Sequence, residues 1–133
     1  MADAPVGPAK PKSPELRYEK HLMDERKILD GLREICLALP KTHETATFGH
    51  PTFQVGTKTF AVLETYKGQL SISVKVGKPM QQVFLQDPRF YRTPYVGQHG
   101  WVSLRVNGKL DWKEITGLVQ GSHQLVGAKK RNR

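Results

Sequence analysis

"GTKTFAVLETYKGQLSISVKV", Gly56 to Val76, is the stretch that decides the fold. The turn Gly56-Thr57-Lys58 leads into TFAVLETY, rich in β-branched and aromatic residues, and Gly68-Gln69 introduces LSISVKV. In the second run Leu70, Ile72, Val74 and Val76 alternate with Ser71, Ser73 and Lys75, the period of a strand with one apolar side. Parallel neighbours need a crossover of about a dozen residues or more; only a turn lies here, so the two runs pair antiparallel.

Upstream, Ile28, Leu32, Ile35, Cys36 and Leu39 form a stripe at helical spacing. The spacing predicts a helix from about Pro14, or from Asp24 if short, to Leu39, stopped by Pro40. KTHETATFGHPTFQVG then supplies two short strands around a Gly49-His50-Pro51 corner. Downstream, GKPMQQVFLQDP reads as a short helix with Pro79 in its first turn and Asp87-Pro88 ending it. RFYRTPYVGQHG is irregular or a short edge strand, and WVSLRV alternates again, with Val102, Leu104 and Val106 inward. After an Asn107-Gly108 turn, Asp111 to Glu114 forms a capping-box variant that opens the last helix. Trp112, Ile115, Leu118, Val119 and Ser122 line its inner side. Gly117 and Gly121 inside that helix cost about 1 kcal/mol each against Ala, so close packing or a break is expected there. The fold class is α+β: two layers, an antiparallel sheet with helices on one face, in the order helix–strands–helix–strands–helix.

The 133 residues suffice for one domain. Residues 1–14 read as a disordered leader, with Pro5, Pro8, Pro11 and Pro14 spaced for polyproline II. Residues 15–126 form the domain, and 127–133 a basic, disordered tail. No run approaches the ~18 apolar residues of a membrane helix, and the first residues lack the apolar middle of a secretory signal. With one cysteine, Cys36, there is no disulfide frame, and a reducing cytoplasm is expected. His21, His43, His50, His99 and His123 are scattered, so no metal is expected. No cofactor fingerprint, phosphate loop or nucleophile elbow accompanies them. An acid/base pair of His50 and His99 would need a nucleophile or an orienting carboxylate, and the residues on offer, Glu44, Glu64 and Ser103, make no recognisable constellation. The expectation is therefore no enzyme and no cofactor.

These motifs in this order resemble the MmcQ/YjbR-like family of small bacterial proteins. The match rests on ALP (38–40), FGHPTF (48–53), KTFAVLE (58–64), DPRF (87–90), PYVGQHGWVSLRV (94–106) and DWKEI (111–115), followed by Ser122 and Gln124 to Val126. Together they cover roughly residues 24 to 128. The resemblance implies a two-layer α/β fold whose sheet presents two protruding hairpins, a double wing, and a DNA-binding role. It implies no set of catalytic residues.

The residues themselves point the same way. Net charge is +9, of which four positive charges belong to the last eight residues, and a basic balance favours polyanions. With the apolar sides of two strands covered by helices, the opposite side is expected to stand in solvent, showing Ser71, Ser73, Lys75, Trp101, Ser103 and Arg105. Cations and hydroxyls there would neutralise and hydrogen-bond phosphates while Trp101 stacks on a base or sugar. Lys58, Lys67 and Lys109, each beside a turn glycine, would tip the wings. Duplex DNA, read through its backbone by a monomer, is the expected partner. The alternatives are a small-ligand or regulatory protein and a protein-interaction module. The first would use a cleft near His50, Tyr95, His99 and Trp101, with Gly97-Gln98-His99-Gly100 as a phosphate-holding loop.

Overall fold

The computed structural model describes residues 14–128, with side chains from residue 24 onward. The polyproline reading of the leader and most of the basic tail lie outside the described residues. Helix α1 (Pro14–Leu37) buries Leu32 and Cys36 completely. Thr42 Oγ1 closes its C-terminal end, donating to the carbonyls of Cys36 and Leu39 at 2.9 Å each.

Four strands follow as a meander: β1 (Thr42–Thr47), β2 (His50–Val55), β3 (Lys58–Tyr66) and β4 (Gln69–Lys75). Helix α2 (Lys78–Phe84) leads to β5 (Phe90–Arg92); after a 3-10 turn (Gly97–His99), β6 (Trp101–Arg105) and α3 (Trp112–Gly127) complete the chain. The sheet order is β1-β2-β3-β4-β6-β5, every pair antiparallel, so β6 sits between β4 and the short edge strand β5. The first corner lies one step earlier than expected. Thr47 pairs with His50 across Phe48-Gly49, which places His50 inside β2.

Both long helices lie on one face: α3 on β2, β3 and β4, and α1 on β1, β2 and α3. Phe53, Leu63, Ile72, Val74, Val102, Ile115 and Val119 fill the layer between, nearly all their surface removed from water. Ser122, buried in that layer, donates to the Phe60 carbonyl (2.6 Å) and accepts from the Lys75 amide (2.9 Å), tying α3 to two strands. Asp111 caps α3 by accepting from the amides of Lys113 and Glu114. Glu114, however, points to Arg89 instead of completing a capping box. Gly117 and Gly121 are exposed, with nothing near the position of an added Cβ. Neither the close packing nor the break expected there occurs: α3 runs through both glycines, which fall on the side away from Ile115, Val119, Ser122 and Val126.

The sheet also bends. Phe53 faces Ala61, yet the next residue, Gln54, faces Thr59, leaving Phe60 as an extra residue in β3. Phe60 and Ala61 are consecutive, and both are buried in the core. A bulge of this kind sharpens local twist and bends its strand.

Candidate functional site

The small residues of the other face of the sheet are not in open solvent. Ser71 and Ser103 are fully buried, Ser73 nearly so, and Trp101 is 9% exposed. This corrects the expected solvent-facing row, and the cause is side-chain length. A serine hydroxyl barely clears the backbone, so longer neighbours on adjacent strands close over it. Tyr91 meets Ser71 at 2.8 Å, Glu64 Oε2 accepts from Ser73 at 3.0 Å, and Ser103 lies 2.7 Å from Ser73 and 2.9 Å from Thr93. Each hydroxyl thus has a partner, as burial demands. Ser103 cannot reach a phosphate from there.

The same face holds a cavity of about 280 Å3. Thr47, Phe48 and His50 come from the β1–β2 hairpin, Val62 and Glu64 from β3, Ser73 from β4 and Trp101 from β6; Thr93 to Val96 close it beyond β5. The hairpin and the Thr93–Val96 segment belong to opposite edges of a six-stranded sheet. They share one cavity because the sheet curls, and the bulge at Phe60 assists that curl. Phe48 and Tyr95 at the rim are 96% and 89% exposed. Both have positive φ, 51° and 70°, a region that costs L-residues about 1–2 kcal/mol.

Thr59 and Trp101 also line an adjoining recess of about 500 Å3, whose other walls include Lys58 and Lys75. Neither lysine makes a salt bridge among the described residues. The groove is therefore aromatic with one carboxylate at one end and cationic at the other.

The remaining predicted contacts lie elsewhere. Lys67 occupies the β3–β4 turn, 5.4 Å from the Tyr66 ring. Arg105 stacks on Tyr91 at 4.8 Å and donates to the Pro88 carbonyl at 2.6 Å. Arg105 and Lys109 line a separate recess with Arg89 and Glu114. The basic residues expected to form one surface are thus split, because β3 and β4 carry Lys58 and Lys75 toward one end and Lys67 toward the other. Arg33 and Arg89 are committed to carboxylates: Arg33 to Glu44, Arg89 to Asp87 and Glu114. Those hydrogen bonds raise both guanidinium pKa values.

The histidine turn is divided as well. His50 and Tyr95 line the cavity, whereas Gly97, His99 and Gly100 do not. The Gly97 carbonyl accepts from Gln81 Nε2 at 2.7 Å, and the Gly100 amide donates to Gly97. A Cβ at Gly100 would come within 2.8 Å of the Gly77 backbone, so this glycine serves close packing. His99 is exposed and outside the groove. Sequence reasoning missed Phe48, Glu64 as a pocket residue and Thr93. A large aromatic preceding Gly49 in a two-residue hairpin turn, where Asn or Gly is usual, was the available signal. Among the described residues no group of three or more His, Cys, Asp or Glu gathers as a metal site needs. No described helix is long and apolar enough to cross a membrane.

A meander sheet curled over a groove and backed by two long helices defines an α+β protein with one concave face. Residues 37–125 match the YjbR family model, and the chain belongs to that family. The crystal structure of Deinococcus radiodurans protein DR2400, with family-model domain DUF419, is similar in fold. It aligns at a TM-score of 0.67 and 24% identity over 79% of this chain and 82% of that one. A search of curated proteins finds no match.

Proposed function

We propose that this YjbR-family protein is a nucleic-acid-binding module that receives one unpaired base in the cavity and the adjoining phosphates on Lys58 and Lys75. The supporting observation is the rim. Phe48 and Tyr95, two strongly exposed aromatics at unfavourable φ, flank one cavity that shares Thr59 and Trp101 with a lysine-lined recess. Backbone held in a costly conformation, carrying side chains that gain nothing from burial, is the pattern of a contact surface. Base–aromatic stacking beside a cationic track is the chemistry of single-strand binding. Since a cavity accepts a base only when it has left the stack, a single strand or an extruded base fits better than an intact duplex. The reading is one of binding, without a catalytic step.

Fluorescence anisotropy with single-stranded and duplex DNA over a salt series tests it. Single strands should bind more tightly, and Lys58→Glu/Lys75→Glu should lower the magnitude of the log–log salt slope by about 1.4, two phosphate contacts at ~0.7 each. Tighter duplex binding that survives Phe48→Ala and Tyr95→Ala would move the contact to the hairpin tips. Loss of all affinity on deleting residues 127–133 would leave the folded domain without this role. A free small molecule in the same cavity is the competing reading, favoured by the carboxylate of Glu64 at its lining. A thermal-shift screen with nucleotides and amines separates the two.

A further inference from the structure

The hydroxyls beneath the cavity have a direction. Ser73 donates to Glu64 Oε2 at 3.0 Å, which uses its one proton. Ser73 therefore accepts from Ser103 at 2.7 Å, and Ser103, its proton spent, accepts from Thr93 at 2.9 Å. The chain runs Thr93 to Ser103 to Ser73 to Glu64, with every proton aimed toward the carboxylate. Ser73, Ser103 and Thr93 are buried, so water does not compete along it. A carboxylate offers about four acceptor positions, and among the described residues one is occupied. Glu64, half-buried, lines the cavity and keeps acceptor positions to spare.

We infer that Glu64 makes the cavity selective for guanine. This rests on the nucleic-acid reading above and specifies which base enters. A carboxylate only accepts hydrogen bonds, so it favours a ligand edge carrying adjacent donors. Guanine presents N1–H beside its N2 amino group and can satisfy both oxygens at once. Adenine and cytosine place a ring acceptor next to their amino group, which the carboxylate repels. Thymine has one N–H between two carbonyls. Lysine and arginine are absent from the cavity lining, where His50 is the one side chain able to carry a positive charge, and no salt bridge among the described residues joins it to Glu64.

The test uses the full chain and short oligothymidylates that differ in one central base: guanine, hypoxanthine, adenine or cytosine. Guanine should bind about 5- to 150-fold more tightly than adenine or cytosine, the discrimination of a good bidentate pair. Hypoxanthine, which keeps N1–H but lacks the amino group, should fall between. Glu64→Gln preserves shape and an acceptor for Ser73 but turns one oxygen into a donor. It should erase the guanine preference and leave the salt slope unchanged. Ser73→Ala, which removes the hydroxyl that orients Glu64, should reduce the preference without reversing it. Equal affinity for all four central bases, with salt-dependent binding intact, overturns the guanine assignment alone. Absence of binding to any of the strands overturns the nucleic-acid reading with it. The base series needs no altered protein, so the outcome does not depend on a variant folding.

Discussion

Replacing Phe48 by Asn should make the protein more stable and a weaker binder. Phe48 opens a two-residue turn closed by the Thr47–His50 pair, with φ of 51° followed by 81° at Gly49. Positive φ at both positions defines a type I′ turn, for which Asn-Gly is the favoured pair. Phenylalanine there carries a backbone penalty of about 1–2 kcal/mol, part of which Asn relieves by hydrogen-bonding locally. At 96% exposure the ring contributes almost no burial to set against that penalty. The net expectation is a gain of about 1 kcal/mol, or a rise in Tm of roughly 3–6 °C for a domain this size. Stacking on an aromatic contributes about 1–3 kcal/mol per base, so affinity for a single strand should fall roughly 5- to 150-fold. Thermal melts and anisotropy on one preparation measure both. A lower Tm would mean that Phe48 packs against something and the strain argument is wrong. A higher Tm with unchanged affinity would reduce Phe48 to a poor turn residue.

Other consequences can be checked in the same way. Gly117→Ala and Gly121→Ala should each stabilise α3 by about 1 kcal/mol in urea melts, since both are exposed and an added Cβ meets nothing; destabilisation would reveal packing there. Gly100→Ala should cost about 2–5 kcal/mol, because φ is +84° and the new Cβ would lie 2.8 Å from the Gly77 backbone; a near-neutral melt would show that the two segments part easily. Burial pushes the Cys36 thiol up to about 12, above its unfolded value near 9. Its contribution to stability is therefore complete below pH ~9 and lost as pH rises toward 12, and Cys36→Ala should flatten that alkaline limb. Native protein at pH 8 should react with a thiol reagent only as fast as it opens, and rapid labelling would contradict the burial.

Much of the architecture was legible locally. The Leu70–Val76 alternation, the helical stripe from Ile28, the Asp111 cap and the glycine turns each encode their element within a few residues, where backbone geometry and side-chain period act. The β6 insertion beside β4 needed the same apolar alternation to find a partner, and β5 appeared at the edge as a short strand. The candidate site was less legible. Alternation correctly assigned Ser71, Ser73, Trp101 and Ser103 to the side away from the long helices, but not their burial. Burial depends on which longer side chains the neighbouring strands place alongside, and those neighbours come from register. His50 and His99 looked like matching turns; one slipped into a strand beside the cavity, the other stayed on an exposed 3-10 turn.

By itself the sequence determined most of the elements, their antiparallel pairing, the membership of the YjbR family and the alternating faces of β4 and β6. The family follows from the order of its motifs, and the rest from periodicity and turn chemistry, which act over a few residues. Only the tertiary structure decided that the sheet curls until the Phe48 hairpin and the Tyr95 segment, from opposite edges, close one cavity over Glu64. It also decided that the lysines divide between two ends of the sheet. Curl accumulates from the twist of six strands and one extra residue in β3, a sum over the whole sheet that no single stretch contains.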